Sequence, residues 1–68
     1  MEVTGLVVGW RGLSLAVGAL LGHPVGVGVV RWRIERSGLP VGKKVGGTML
    51  FERADVELAA RLVDRQQA

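Results

Sequence analysis

The 68-residue sequence predicts a mainly α-helical domain with one small β-hairpin, on three observations. A 3.6-residue apolar period runs through residues 27 to 37 and stops at Gly38, which suits a left-handed helix cap, and Pro40 cannot continue a helix. Gly46-Gly47 then offers the two positive φ angles of a two-residue hairpin turn. Beyond it, Val56, Ala59, Ala60 and Val63 recur at helical spacing. In that last segment Asp55 and Glu57 come early and Arg61 and Arg65 late, as the helix dipole favours.

Taken in order, residues 1 to 12 read as an N-terminal arm. Val3, Leu6, Val7, Val8 and Trp10 are strand-favouring or bulky, and Gly5 and Gly9 interrupt them. A short strand or irregular arm laid on the domain is expected there, with Trp10 as a core or lid residue. A first helix is expected over residues 15 to 21, capped by Ser14, ended by Gly22, and turning Val17, Leu20 and Leu21 to the core. Leu15, Ala16 and Ala19 then form an exposed apolar strip that the arm or a second chain must cover. After a turn at His23-Pro24 the second helix should start past Gly26 or Gly28, because Gly costs about 1 kcal/mol against Ala inside a helix.

In that second helix Val27, Val30, Ile34 and Ser37 share the inner face. Trp32 and Arg36 project oppositely, Arg33 and Glu35 flank them, and Arg31 lies nearer the buried edge. Alternation in the hairpin groups Val45, Met49 and Phe51 on one face and Lys44, Thr48 and Leu50 on the other. Phe51 should anchor the hairpin against a last helix over residues 53 to 65. Leu58 and Leu62 fall off that helix's inward stripe, and residues 66 to 68 form a frayed tail.

Composition narrows function by exclusion. There is no cysteine, so neither disulfides nor thiolate metal sites are expected, and His23 alone cannot assemble a metal site. Thr4, Ser14, Ser37 and Thr48 lack a local base that would activate them. The expectation is a non-enzyme with no catalytic residues, metal, cofactor or small-molecule substrate. Charge is more informative. Residues 31 to 44 carry Arg31, Arg33, Arg36, Lys43 and Lys44 against Glu35 alone, although the whole chain carries only +3. A cationic segment of this kind is the footprint of a polyanion site. Residues 12 to 30 are uncharged, close to the ~20 residues of a membrane span, but Gly22-His23-Pro24 divides them into two shorter segments. Glu2 ahead of that run and arginines behind it argue against a secretory signal.

The succession Gly38-Leu39-Pro40, Val45-Gly46-Gly47, Phe51, Arg53 and Asp55-Val56 resembles the small winged helix-turn-helix domains of phage excisionases and the DNA-binding heads of MerR-type regulators. In those families a recognition helix runs into G-x-L-P, a wing carries V-G-G/R and a strand, and R-x-D-(L/V) follows. Leu21-Gly22 matches the L-G that opens the turn, and Gly18 stands where those domains usually place Ala, at a close helix crossing. The match spans about residues 13 to 62 and departs over residues 22 to 29, where His23-Pro24 lengthens the turn and no Ser or Thr caps the helix.

The resemblance implies a winged helix-turn-helix domain over residues 13 to 65 of a cytoplasmic protein that binds duplex DNA sequence-specifically. Such a protein is a small transcriptional regulator or an excisionase-like recombination accessory factor, working as a homodimer or a DNA-assembled oligomer. Its DNA-binding residues would be Arg31, Trp32, Arg33 and Arg36 on the recognition helix, with Lys43, Lys44 and Thr48 on the wing. For Trp32, packing against the wing or the arm is the competing role. Two other readings of the chain stand beside this one. One is a non-catalytic interaction module that self-assembles through its apolar first helix, and the other is a single-span membrane peptide with a basic tail.

Overall fold

A computed structural model describes residues 6 to 67 and the side chains of residues 6 to 64, and the described residues form three helices and a three-stranded antiparallel sheet. The order is β1 (Val7–Val8), α1 (Gly9–Leu21), α2 (Val27–Ser37), β2 (Lys43–Val45), β3 (Thr48–Phe51) and α3 (Arg53–Gln67). Residues 1 to 5 of the expected arm, Ala68 of the expected tail and the side chain of Arg65 lie outside the described residues.

The first helix begins well before Ser14. The backbone leaves β1 at Val8 in an extended conformation (φ −107°, ψ 127°) and turns into α1 at Gly9, whose φ of +79° a side chain would resist. Trp10, Leu13, Val17 and Leu21 then line the inner side, with Leu13 and Val17 wholly buried, and this burial outweighs the helix cost of Gly9 and Gly12. Ser14 is therefore buried in mid-helix and caps nothing; its hydroxyl donates to the Arg11 carbonyl at 2.9 Å. Leu20 sits off the stripe and is 56% exposed, against its expected place in the core. Gly22, in the left-handed conformation (φ 83°), ends the helix as expected.

Gly18 is buried, but the contact that demands its smallness is the turn and not the second helix. A Cβ there would lie 2.9 Å from the His23 carbonyl oxygen. The Gly18 carbonyl also accepts the N–H groups of Gly22 and His23 at 2.8 and 3.1 Å, which clamps the turn onto α1.

The second helix occupies the expected span. Val30 and Ile34 are buried, Ser37 is half-buried, and Val27 at the entrance remains exposed. Gly38 (φ 71°) closes it, while the Ser37 hydroxyl donates to the Ile34 carbonyl (2.7 Å) and accepts the Leu39 N–H (3.1 Å). The hairpin turns at Gly46 and Gly47, both with positive φ. Its facing differs from the sequence expectation. A two-residue turn sets Val45 directly opposite Thr48, and Lys44 opposite Met49, so Val45 shares a face with Thr48 and Leu50 while Lys44 shares one with Met49 and Phe51. The strand expected in the arm exists as β1, which pairs with β3 through Val7–Phe51 and Val8–Leu50 and gives the order β1-β3-β2.

In α3 the inward stripe is as expected, with Val56, Ala59, Ala60 and Val63 all buried. The Asp55 carboxylate accepts the Glu52 N–H at 2.8 Å, fixing the helix start. Leu58 and Leu62, expected to face outward, are half-buried against the core. α3 thus contacts α1, α2 and the sheet around one core centred on Phe51, Leu13, Val17, Val30 and Val63. Among the described residues, no helix is long and apolar enough to cross a membrane.

Candidate nucleic-acid interface

Because Val30 and Ile34 point inward, helical geometry drives Trp32 and Arg36 to the outside of α2. Trp32 is 48% exposed, a large aromatic surface for a domain of this size. The guanidinium carbons of Arg33 and Arg36 each lie 4.9 Å from its ring centroid, within cation–π range. Arg33 is half-buried, with its Nε shut off from solvent, and Arg36 is exposed at the last turn, where a cation also suits the helix dipole. Trp32 thus forms one cluster with two of the three α2 arginines.

Arg31 belongs to a different arrangement. Its Nε donates to Glu35 Oε2 at 3.1 Å, and its guanidinium lies 5.2 Å from the ring centroid of Trp10, which itself meets Phe51 edge-on with centroids 5.2 Å apart. This residue joins α2 to α1 with its charge matched locally. Arg31→Ala is expected to weaken binding to any polyanion by no more than about twofold, because an exposed i,i+4 pair is worth only a few tenths of a kcal/mol and its charge is already neutralised. A titration of the variant against duplex DNA checks this. A loss as large as that for Arg36→Ala would put Arg31 in the interface.

Lys43, Lys44 and Thr48 are all exposed on the hairpin. Consecutive strand residues point to opposite faces, so Lys43 shares its face with Thr48, Val45 and Leu50 while Lys44 emerges on the other. The expected pairing of Lys44 with Thr48 therefore becomes Lys43 with Thr48. β2 is the outer strand, leaving these cations at a free sheet edge, a placement that also guards it against edge-to-edge association. His23 is an exposed turn residue whose ring Nδ1 lies 3.3 Å from the Pro24 carbonyl oxygen.

No protein-family model, curated protein or solved structure matches this chain. The site therefore stands on its own chemistry.

One surface is only half visible in the sequence. Leu15 and Leu20 on the outer side of α1 are 70% and 56% exposed, and beside Leu20 runs a groove of about 340 Å³ whose lining includes Val7, Ala16, Leu20 and Val56. Arg53 and Glu57, an ion pair at 3.4 Å, also line it. The apolar strip is legible, since Leu15, Ala16 and Ala19 repeat at helical spacing. The groove is not, because β1 and α3 supply part of its wall.

Proposed function

We propose that the chain is a small duplex-DNA-binding protein of winged helix-turn-helix type, acting as a transcriptional regulator or an excisionase-like recombination accessory factor. The observation that carries this reading is the Trp32–Arg33–Arg36 cluster on the solvent side of α2, opposite the buried Val30–Ile34 stripe. A helix stabilised along one side and cationic along the other has the form needed to lie in a major groove. The exposed hairpin that follows supplies Lys43, Lys44 and Thr48 for the sugar-phosphate backbone. A cytoplasmic location goes with this reading.

Fluorescence anisotropy with a labelled duplex tests it. If about four phosphates are neutralised, log K falls against log salt with a slope near −3.6. No detectable binding to any duplex at ~50 mM salt ends the proposal, since non-specific affinity is measurable there.

A second reading, self-assembly, is favoured by the exposed apolar outer face of α1. Leu58 packs against the core, so the contact would centre on the exposed Leu15 and Leu20. Burying such surface contributes roughly 25 cal/mol per Å². The expected species is a homodimer, or an array assembled on DNA. Sedimentation with and without a long duplex, repeated on Leu15→Glu/Leu20→Glu, decides it. A strict monomer that also binds DNA without cooperativity excludes this association.

A further inference from the structure

We propose that Trp32 is a positioning residue that arranges Arg33 and Arg36 into a paired guanidinium site for duplex DNA, one guanidinium held on phosphodiester oxygens and the other left to reach a base edge, and that Trp32 itself neither stacks on nor reads a base. The inference rests on the DNA-binding reading and goes one step deeper into the same surface. An exposed Trp beside arginines is readily taken for a stacking platform. A platform needs a free π-face, since stacking on a base requires the two planes to meet. Here guanidiniums from the next residue and from the next turn lie over the ring, each 4.9 Å from its centroid. A base that stacked on this ring would have to compete with two guanidiniums already held against it.

The arrangement has an energetic consequence. Arginine side chains lose about 2 kcal/mol of rotamer freedom when fixed, which ordinarily reduces what a phosphate contact contributes. Holding two guanidiniums against one rigid ring removes part of that cost before any ligand arrives. Arg33 is further restrained by its half-buried stem and solvent-shielded Nε, so the pair combines one fixed cation with one exposed cation from the last turn of α2. Planar guanidiniums are suited to charge-assisted, bidentate bonds with phosphate oxygens. Trp32 contributes no charge to this site.

The test compares Trp32→Leu with Trp32→Phe, in the wild-type background and in Arg33→Ala/Arg36→Ala, by anisotropy across a salt series. Trp32→Leu keeps the apolar bulk but removes the π-face. It is expected to weaken duplex binding about five- to tenfold, the size of two exposed cation–π contacts. The salt slope should not change, because no cation is removed, and Trp32→Phe should recover most of the affinity. In the arginine-deleted background Trp32→Leu should have almost no effect. In the free protein, NMR should find the Arg33 and Arg36 δ-protons shifted upfield by the ring current, with the shift abolished in Trp32→Leu and partly retained in Trp32→Phe. An equal loss in both backgrounds means that Trp32 touches DNA directly, and no loss in the wild-type background means that it positions nothing of consequence. Either result overturns the proposal, as do arginine δ-protons at random-coil positions in the wild-type chain. A wild-type chain that binds no duplex overturns the DNA reading and the phosphate role together, while the ring-current shifts separately decide whether the arrangement exists.

Discussion

Phe51→Ala is expected to remove a large part of the chain's folding stability at 25 °C. Phe51 is wholly buried at the end of β3, pairs with Val7 of β1 and meets the Trp10 ring edge-on. Removing a buried Phe side chain costs about 3–5 kcal/mol. A 68-residue domain at 0.05–0.15 kcal/mol per residue has roughly 3–10 kcal/mol in total, so this one change takes a large share. Gly42 meets the same ring. Its φ is +81°, and a Cβ there would lie 2.6 Å from two ring carbons of Phe51 and 3.1 Å from the Leu50 carbonyl oxygen. Gly42→Ala must therefore displace the ring or the backbone, and should lower the melting temperature well beyond the ~4–8 °C that 1 kcal/mol represents in a domain of this size. Thermal unfolding followed by circular dichroism measures both variants. A Gly42→Ala midpoint within about 2 °C of the parent would mean that Phe51 does not pack where the fold requires it.

These two residues also mark where sequence reasoning succeeds and where it fails. Phe51 is legible as the hairpin's anchor because it is the sole phenylalanine, at a strand end. Gly42 carries no signal, since its necessity comes from a ring nine positions later. α2 and α3 are readable from their periods and stop residues: Val30–Ile34, Gly38 and the Val56–Val63 stripe all stand where the pattern puts them. α1 is foreshortened in the sequence because Gly9 looks like an interruption and Ser14 looks like a cap. Tertiary burial of Trp10, Leu13 and Val17 overrides both signals. The hairpin's facing is misread when alternation is carried straight through the turn, whereas a two-residue turn returns the chain with its flanking residues on one face.

The candidate site divides along the same line. The outward position of Trp32 and Arg36 follows from helix period alone, so it can be read. The attachment of Arg31 to Trp10 and the groove beside Leu20 join elements distant in the chain, and no local pattern encodes them.

If the chain binds DNA as proposed, the arginines of α2 and the lysines of the hairpin should fail differently when removed, and the difference would report which element reads the duplex. Arg33→Ala with Arg36→Ala removes the two guanidiniums that Trp32 gathers. If α2 lies in the major groove, one of them can reach a base edge, and a good bidentate arginine contact is worth about 1–3 kcal/mol of discrimination against the wrong base. The double variant should then give up roughly tenfold or more of its preference for a selected site over random duplex. Lys43→Ala with Lys44→Ala should instead weaken all duplexes alike and reduce the salt slope by about 1 for each phosphate no longer neutralised. The geometry sharpens this second expectation. Lys43 and Lys44 leave opposite faces of β2, so a wing approaching the backbone from one side engages one lysine at a time. Single variants should thus be unequal, with Lys43, on the Thr48 face, the natural candidate for the larger effect. Anisotropy titrations of the four single variants and two double variants, on a selected site and on random duplex at several salt concentrations, resolve the pattern. Should the lysines set the site preference while the arginines only shift overall affinity, the hairpin and not α2 is the reading element, and the domain approaches its duplex from the other end.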